Sequence, residues 1–195
     1  MRLIPYRHVG RVLALAGTLL FVLADSSQAR AQSIPDRGKA PSSVRWHRDR
    51  ADPRWVHGMV EVKMAPPTVW KRIQNLRDWP TMFSDIRGMK NLKKVGHVWT
   101  MELESEIFGH GFHDYVLKFK TPLRAELTVD SGGIYALARM QIAKAPQPST
   151  TIIRYSVLVE TTGFIGWFIS DNDLRQKQEK LVLRYLHDFQ RAFSP

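Results

Sequence analysis

Hydrophobic and polar residues alternate through most of the chain after residue 54. In "HVWTMELESEI", Trp99, Met101 and Leu103 alternate with threonine and glutamate, so one face of a strand is apolar and the other polar. About seven strands are predicted, in WVHGMVEVKM, MKNLKKVG, HVWTMELESEI, FHDYVLKFK, LRAELTVD, IYALARMQI and TIIRYSVLVE. The separators are short and rich in Gly and Pro, which indicates antiparallel neighbours. IYALARMQI is apolar on both faces, so the side to which its Arg139 points stays open.

Two helices interrupt or follow these strands. Pro66 and Pro67 end the first strand, and apolar residues then recur at helical spacing from Val69 to Leu76. A long amphipathic helix ends the chain, with an apolar stripe from Leu174 to Phe193. A meander of this length curls, and the C-terminal helix is the large cover available for its apolar face.

The first 31 residues have the pattern of a secretory signal peptide. Three arginines precede the uncharged run VLALAGTLLFVLA, and "ARA" at 29–31 fits a small-x-small cleavage site. The apolar run is short for a membrane span, although an uncleaved N-terminal anchor is the alternative. Either reading predicts a domain outside the cytoplasm, in the periplasm if the host is Gram-negative. The polar residues 32–53 are predicted to form a flexible leader, and residues 54–195 a single domain.

The amino-acid composition limits the kinds of chemistry and the kinds of partner that the protein can have. The chain has no cysteine, which excludes disulfides, thiol nucleophiles and thiolate metal sites. The net charge of +11 favours anionic partners, and an anionic membrane surface is a candidate. The basic residues are scattered, so no nucleic-acid partner is predicted. A solvated, soluble surface is the simplest interpretation.

The stretch "VEVKMAPPTVWKRIQNLRDWPTMFSDI" (60–86) carries a family resemblance. A strand is followed by Ala-Pro, a helix with an early aromatic residue, and an Asp-aromatic-Pro segment. The matching positions are Ala65, Pro66, Val69, Trp70, Asp78, Trp79, Pro80 and Phe83. This order resembles the START-related (SRPBCC) superfamily, and its polyketide cyclase and coenzyme Q-binding branches most. The resemblance implies an α+β helix-grip fold, in which a curved antiparallel sheet wraps a long C-terminal helix.

The resemblance also implies an internal cavity that holds an apolar ligand, with no cofactor. The candidate cavity-lining residues are Trp99, Met101, Leu103, His113, Tyr115, Leu117, Leu127, Tyr155, Phe168 and Tyr185. From the residues alone, the inward face suits an apolar pocket with few polar groups and a filled core equally well.

"GHGFHD" (109–114) is the most suggestive motif for metal binding. Because the segment is predicted as strand, His110 and His113 would lie on opposite faces, and no third ligand is evident. We therefore predict no metal site, and the sequence contains none of the common catalytic motifs that would assign catalytic residues. His113 fits better as a polar group inside the cavity.

Three functions remain open. The first is a secreted carrier of a hydrophobic small molecule, such as a lipid, a sterol- or hopanoid-like molecule or a quinone. The second is a cyclase or aromatase, which would need His113 as a base beside a tyrosine. The third is an interaction module with a filled core. Binding without catalysis is the preferred prediction, because polyketide-type substrates are usually made in the cytoplasm.

Overall fold

The structure, a computed structural model, describes residues 44–106, 111–120, 123–161 and 170–194. The strands are β1 (Val44–Arg48), β2 (Trp55–Val62), β3 (Ile86–Val95), β4 (Val98–Ser105), β5 (Phe112–Lys120), β6 (Arg124–Ser131), β7 (Ile134–Lys144) and β8 (Thr151–Thr161). The helices are α1 (Pro66–Gln74), α2 (Trp79–Met82) and α3 (Asp171–Phe193), and a 3₁₀ turn (Leu76–Asp78) joins α1 to α2. In these ranges the eight strands form one antiparallel sheet, in the order β1-β2-β8-β7-β6-β5-β4-β3, and α3 packs on β2 and β8. The predicted helix-grip fold is confirmed.

The alternating strands bury the faces that their sequences predict. Met101 and Leu103 of β4 are 2% and 1% exposed, while Glu102 between them and Glu104 after them reach solvent. In β7, the strand with two apolar faces, Met140 and Ile142 point to the core. Arg139 points outward, where its Nε lies 3.3 Å from the Glu126 carboxylate of β6. The outward orientation of Arg139 is therefore the one found.

One strand more is present than the sequence predicts. The sequence predicts a leader over residues 32–53, but Val44–Arg48 forms β1, which pairs antiparallel with the outer edge of β2. The turn back into β2 is closed by Asp49, whose backbone N–H donates to the Trp55 carbonyl at 3.0 Å. Four of the five β1 side chains are exposed, so hydrophobic periodicity gives no signal. Pairing with the open edge of β2 supplies the backbone hydrogen bonds instead.

The C-terminal helix begins at Asp171 and packs as its apolar stripe predicts. Ser170 is the N-cap, and its hydroxyl accepts a hydrogen bond from the Asp173 N–H at 3.1 Å. The apolar stripe is buried against the sheet. Gly58 of β2 permits this close approach, because a Cβ there would lie 2.5 Å from Leu186 Cδ1 and 2.8 Å from Val182 Cγ1. No helix in the described ranges is long and apolar enough to cross a membrane.

The opening stretch folds as a helix broken at a tryptophan. Pro66 starts α1, where the missing N–H has no partner to lose. Val69 and Ile73 are fully buried. The Trp79 indole N–H then donates to the Ile73 carbonyl at 2.9 Å, which satisfies a helix-end acceptor and fixes the turn between the two helices. The chain thereby enters β3 directly beside the core.

Candidate functional site

Two small cavities lie in the core between the sheet and α3. The first is about 30 Å³ and the second about 40 Å³, so each has room for a few water molecules at most. They adjoin each other, because both are lined by Leu127, Ala138, Tyr155 and Tyr185. Their walls are mostly apolar. These two adjoining cavities are each far smaller than a typical pocket for a lipid-sized molecule.

Half of the predicted cavity residues line this space. They are Tyr115, Leu117, Leu127, Tyr155 and Tyr185. The β4 residues Trp99, Met101 and Leu103 belong to the same core, but none of them lines either cavity. Phe168 lies outside the described residues. What these side chains bind stays a prediction.

His113 is half-buried on β5, where its Nδ1 lies 2.7 Å from the Ser131 hydroxyl. A neighbouring hydroxyl thus engages the imidazole. His113 does not line either cavity, which separates it from the tyrosines that do.

Further cavity walls come from residues that the sequence did not single out as lining. Trp79 and Phe83, from the opening motif, meet at 5.4 Å between ring centroids in an edge-to-face pair. Phe83 also packs on Phe189 of α3, at 5.3 Å. The family-like motif therefore contributes two aromatic residues that close one end of the cavity. The walls also include the short side chains of Ala125, Ala136 and Ala138.

Three tyrosines supply the polar atoms near the cavities. The Tyr115 hydroxyl lies 3.1 Å from the Ser105 hydroxyl. Tyr155 and Tyr185 stack with their ring centroids 5.1 Å apart. Burial is the main cause that raises the pKa of all three phenols, and the nearby carboxyl of Asp85 raises each further. These hydroxyls therefore stay protonated at physiological pH and can donate hydrogen bonds.

Asp85, just before β3, is the most unusual polar group of the core. It is fully buried, and neither carboxyl oxygen has a hydrogen-bond partner of normal geometry among the described residues. Burial raises its pKa from 3.8 to about 6, even though nearby Tyr185 and Arg184 lower it. The sequence gives no sign of this burial, because an aspartate between a short helix and a strand is typical of an exposed turn.

Other buried polar groups are satisfied and have structural roles. The Asp188 carboxylate accepts hydrogen bonds from the Ser84 N–H at 2.8 Å and the Ser84 hydroxyl at 2.9 Å. It also pairs with Arg191 at 2.8 Å. Gln178 of α3 donates to the Arg54 carbonyl at 2.8 Å and to a carbonyl of β8. Asp85 stands apart from these groups because nothing comparable compensates its burial.

A Ser-His-Asp chain of hydrogen bonds lies on the outer face of the sheet. His57 Nδ1 is 2.8 Å from the Ser156 hydroxyl, and its Nε2 is 3.1 Å from the Asp49 carboxylate. Ser156 sits in the middle of β8, with paired strands on both sides, so the surrounding backbone N–H groups belong to the sheet. Such a site offers no evident backbone donors for an oxyanion, and we assign this network to stabilising the β1–β2 turn.

No metal site is found in the described ranges, where no three His, Asp or Glu side chains come close enough to share an ion. Of the "GHGFHD" histidines, His110 lies outside these ranges. Some surface acids pair with cations, as Glu106 does with Arg87 at 2.9 Å and Arg184 at 2.6 Å. Surface pairs of this kind contribute little to stability and nothing to a site.

Comparison with known structures identifies proteins that share this fold. No family model and no curated protein matches the sequence. A START superfamily protein from Mycobacterium smegmatis superposes with a TM-score of 0.59 at 14% identity, over 71% of this chain and 96% of that one. A STAR-related lipid transfer protein from Xanthomonas axonopodis gives 0.56 at 12% identity, over 80% and 96%. The Zhui aromatase/cyclase from Streptomyces gives 0.55 at 11% identity, over 71% and 92%. The chain has a START-like fold, as the opening stretch predicts.

Proposed function

We propose that this protein binds a hydrophobic small molecule between the sheet and α3, as a carrier and not as a catalyst. The observation that carries the proposal is the pair of adjoining apolar cavities, walled by large aromatic side chains and floored by alanines. A lipid, a sterol- or hopanoid-like molecule and a quinone all have the required apolar body. A structural neighbour named as a lipid transfer protein supports this class of ligand.

Such a ligand has to enlarge the space that it occupies. Pockets for molecules of this size are typically about 300–1,000 Å³, many times the volume present. The stacked rings of Tyr155 and Tyr185 line both cavities, so their displacement would join the two. The driving force is the apolar area that ligand and walls remove from water, roughly 25 cal/mol per Å². Part of it is spent on moving the aromatic side chains.

We also propose that the protein works outside the cytoplasm, since residues 1–31 have the pattern of a signal peptide. Expression of the full chain in a Gram-negative host followed by N-terminal sequencing tests this. A periplasmic product that begins at Gln32 is expected. An intact N-terminus at Met1 would contradict cleavage.

Cleavage after Ala31 would remove four arginines and one aspartate, so the net charge would fall from +11 to about +8, which still favours contact with an anionic membrane as the place where ligand is collected or delivered. Sedimentation with vesicles that contain phosphatidylglycerol, compared with vesicles of phosphatidylcholine alone, tests this contact. Binding to the anionic vesicles that salt reverses is expected. Equal recovery with both kinds of vesicle would contradict it.

A pair of matched substitutions on β7 tests the binding site. Ala138→Leu adds three carbon atoms to the wall shared by both cavities. Ala143→Leu makes the same change on the opposite face of the same strand, where it should leave the cavities unchanged. Each protein is titrated with N-phenylnaphthylamine, a neutral apolar dye whose fluorescence rises when it leaves water, and its folding is checked by circular dichroism.

Saturable dye binding to the wild type is expected, with at least about a tenfold loss in Ala138→Leu, or ~1.4 kcal/mol, and little change in Ala143→Leu. If the wild type takes up no dye, or if both leucine variants bind as the wild type does, the internal site is refuted. The chain would then be better described as an interaction module with a filled core.

A further inference from the structure

Asp85 and Asp188 are both buried acids of the same core, but they differ in their partners. Asp188 accepts two hydrogen bonds from Ser84 and pairs with Arg191. Asp85 is no more exposed than Asp188, and yet neither of its carboxyl oxygens has a hydrogen bond of normal geometry among the described residues, although the Tyr185 hydroxyl lies close to the carboxyl. A buried polar group without a partner destabilises the folded state, and a charged one does so more. Folded proteins keep such groups rarely, and functional sites are among the exceptions.

The position of Asp85 links it to the cavities. Its carboxyl acts on the ionisation of Tyr115, Tyr155 and Tyr185, and these three tyrosines line the cavities. Tyr185 is the most direct link, since its ring borders both cavities and its hydroxyl is close enough to Asp85 to influence the carboxyl. Asp85 does not itself line either cavity, so Tyr185 is the residue that joins its carboxyl to the cavity wall.

The charges around Asp85 decide which head group suits it. The cation that acts on it, Arg184, is already paired with Glu106 at 2.6 Å. The two nearby acids, Asp188 and Glu106, both disfavour further negative charge. A ligand carboxylate placed here would meet three acids without a free guanidinium to bind it. A hydroxyl would instead give Asp85 the donor that it lacks.

We propose that Asp85 accepts a hydrogen bond from the head of the bound ligand, so that the site selects an apolar molecule ending in a hydroxyl group over an ether or a carboxylate of equal length. This inference rests on the proposed function, because it requires the apolar body to lie in the cavities. The apolar walls give affinity and Asp85 gives selectivity. A buried acceptor left unpaired discriminates strongly against an analogue without the donor.

Competition against N-phenylnaphthylamine at neutral pH tests the head group. Dodecanol, its methyl ether and dodecanoate share one chain and differ in their polar end. In the wild type, dodecanol should displace the dye at about tenfold lower concentration than the ether, with dodecanoate the weakest.

Asp85→Leu should abolish the difference between alcohol and ether. Asp85→Asn, which keeps the shape and removes the charge, should strengthen dodecanoate. Asp114→Asn, an exposed acid on β5, is the matched control and should behave as the wild type.

The outcomes separate the two proposals. If dodecanol, its methyl ether and dodecanoate displace the dye equally, or if dodecanoate is the strongest competitor, the role of Asp85 is overturned. The cavity would then bind alkyl chains whatever their polar end. The role of Asp85 is also overturned if Asp85→Leu retains the preference for alcohol. Should Asp85→Leu fail to fold, Asp85→Asn decides alone, and an unchanged weakness of dodecanoate would overturn the proposal. Absence of dye binding in the wild type would overturn both proposals.

Discussion

Replacing Asp85 by asparagine should change the way in which stability depends on pH. A carboxyl whose pKa is raised on folding opposes folding once it ionises. Its effect is absent below the unfolded pKa of 3.8, grows as pH rises, and is complete above about 6. The rise of about two pKa units corresponds to roughly 3 kcal/mol. Asp85→Asn removes this penalty. The difference in the free energy of unfolding between Asp85→Asn and the wild type should therefore increase, in favour of the variant, by roughly that amount from about pH 4 to pH 7.

The assay is urea unfolding of both proteins across that range, followed by tryptophan fluorescence. Other acids, such as Asp49 and Glu126, have a lowered pKa in the folded protein and stabilise it as pH rises. They contribute equally to both proteins, so the difference between the two curves isolates Asp85. Asp114→Asn, a substitution on the exposed surface, should change the free energy of unfolding by no more than about 0.5 kcal/mol. Parallel curves for the wild type and Asp85→Asn would refute the reasoning, because Asp85 would then have an ordinary pKa.

Two further substitutions test the packing around the site. Gly58→Ala should lower the free energy of unfolding by about 1–3 kcal/mol, since the new Cβ would overlap Leu186; an unchanged urea midpoint would contradict that close approach. Asp188→Ala should cost about 2 kcal/mol, because it leaves the Ser84 donors and Arg191 without their acceptor. A loss below about 0.5 kcal/mol would show that Asp188 does not hold α3 to the loop before β3.

The fold could be predicted because its signals are local. Alternation within each strand and the apolar stripe of α3 are properties of short segments, and the structure confirms both. β1 was not predictable in this way, since its side chains are exposed and its stability comes from backbone pairing with β2. Hydrophobic periodicity alone therefore misses the edge strand β1 and gives one strand too few.

The site was predictable in part. The alternation predicts that Tyr115, Leu117 and Leu127 face the core, and in the structure they do. Alternation within a strand could not predict which of the inward-facing residues border a cavity. The position of a cavity depends on side chains from segments that are distant in sequence. The burial of Asp85 is beyond sequence periodicity for the same reason. It follows from the way the opening motif brings residue 85 beside Tyr185 of α3.

Native mass spectrometry of the protein, purified gently from its own host and followed by lipid extraction, tests the central claim most directly. Binding in an internal site predicts a near-stoichiometric apolar molecule, present with the wild type and with Ala143→Leu but absent from Ala138→Leu. A hydroxyl group on that molecule would further support the role of Asp85. Protein that emerges empty, and that takes up none of a panel of sterols, quinones and long-chain alcohols, would contradict the claim that this START-like chain carries a hydrophobic ligand.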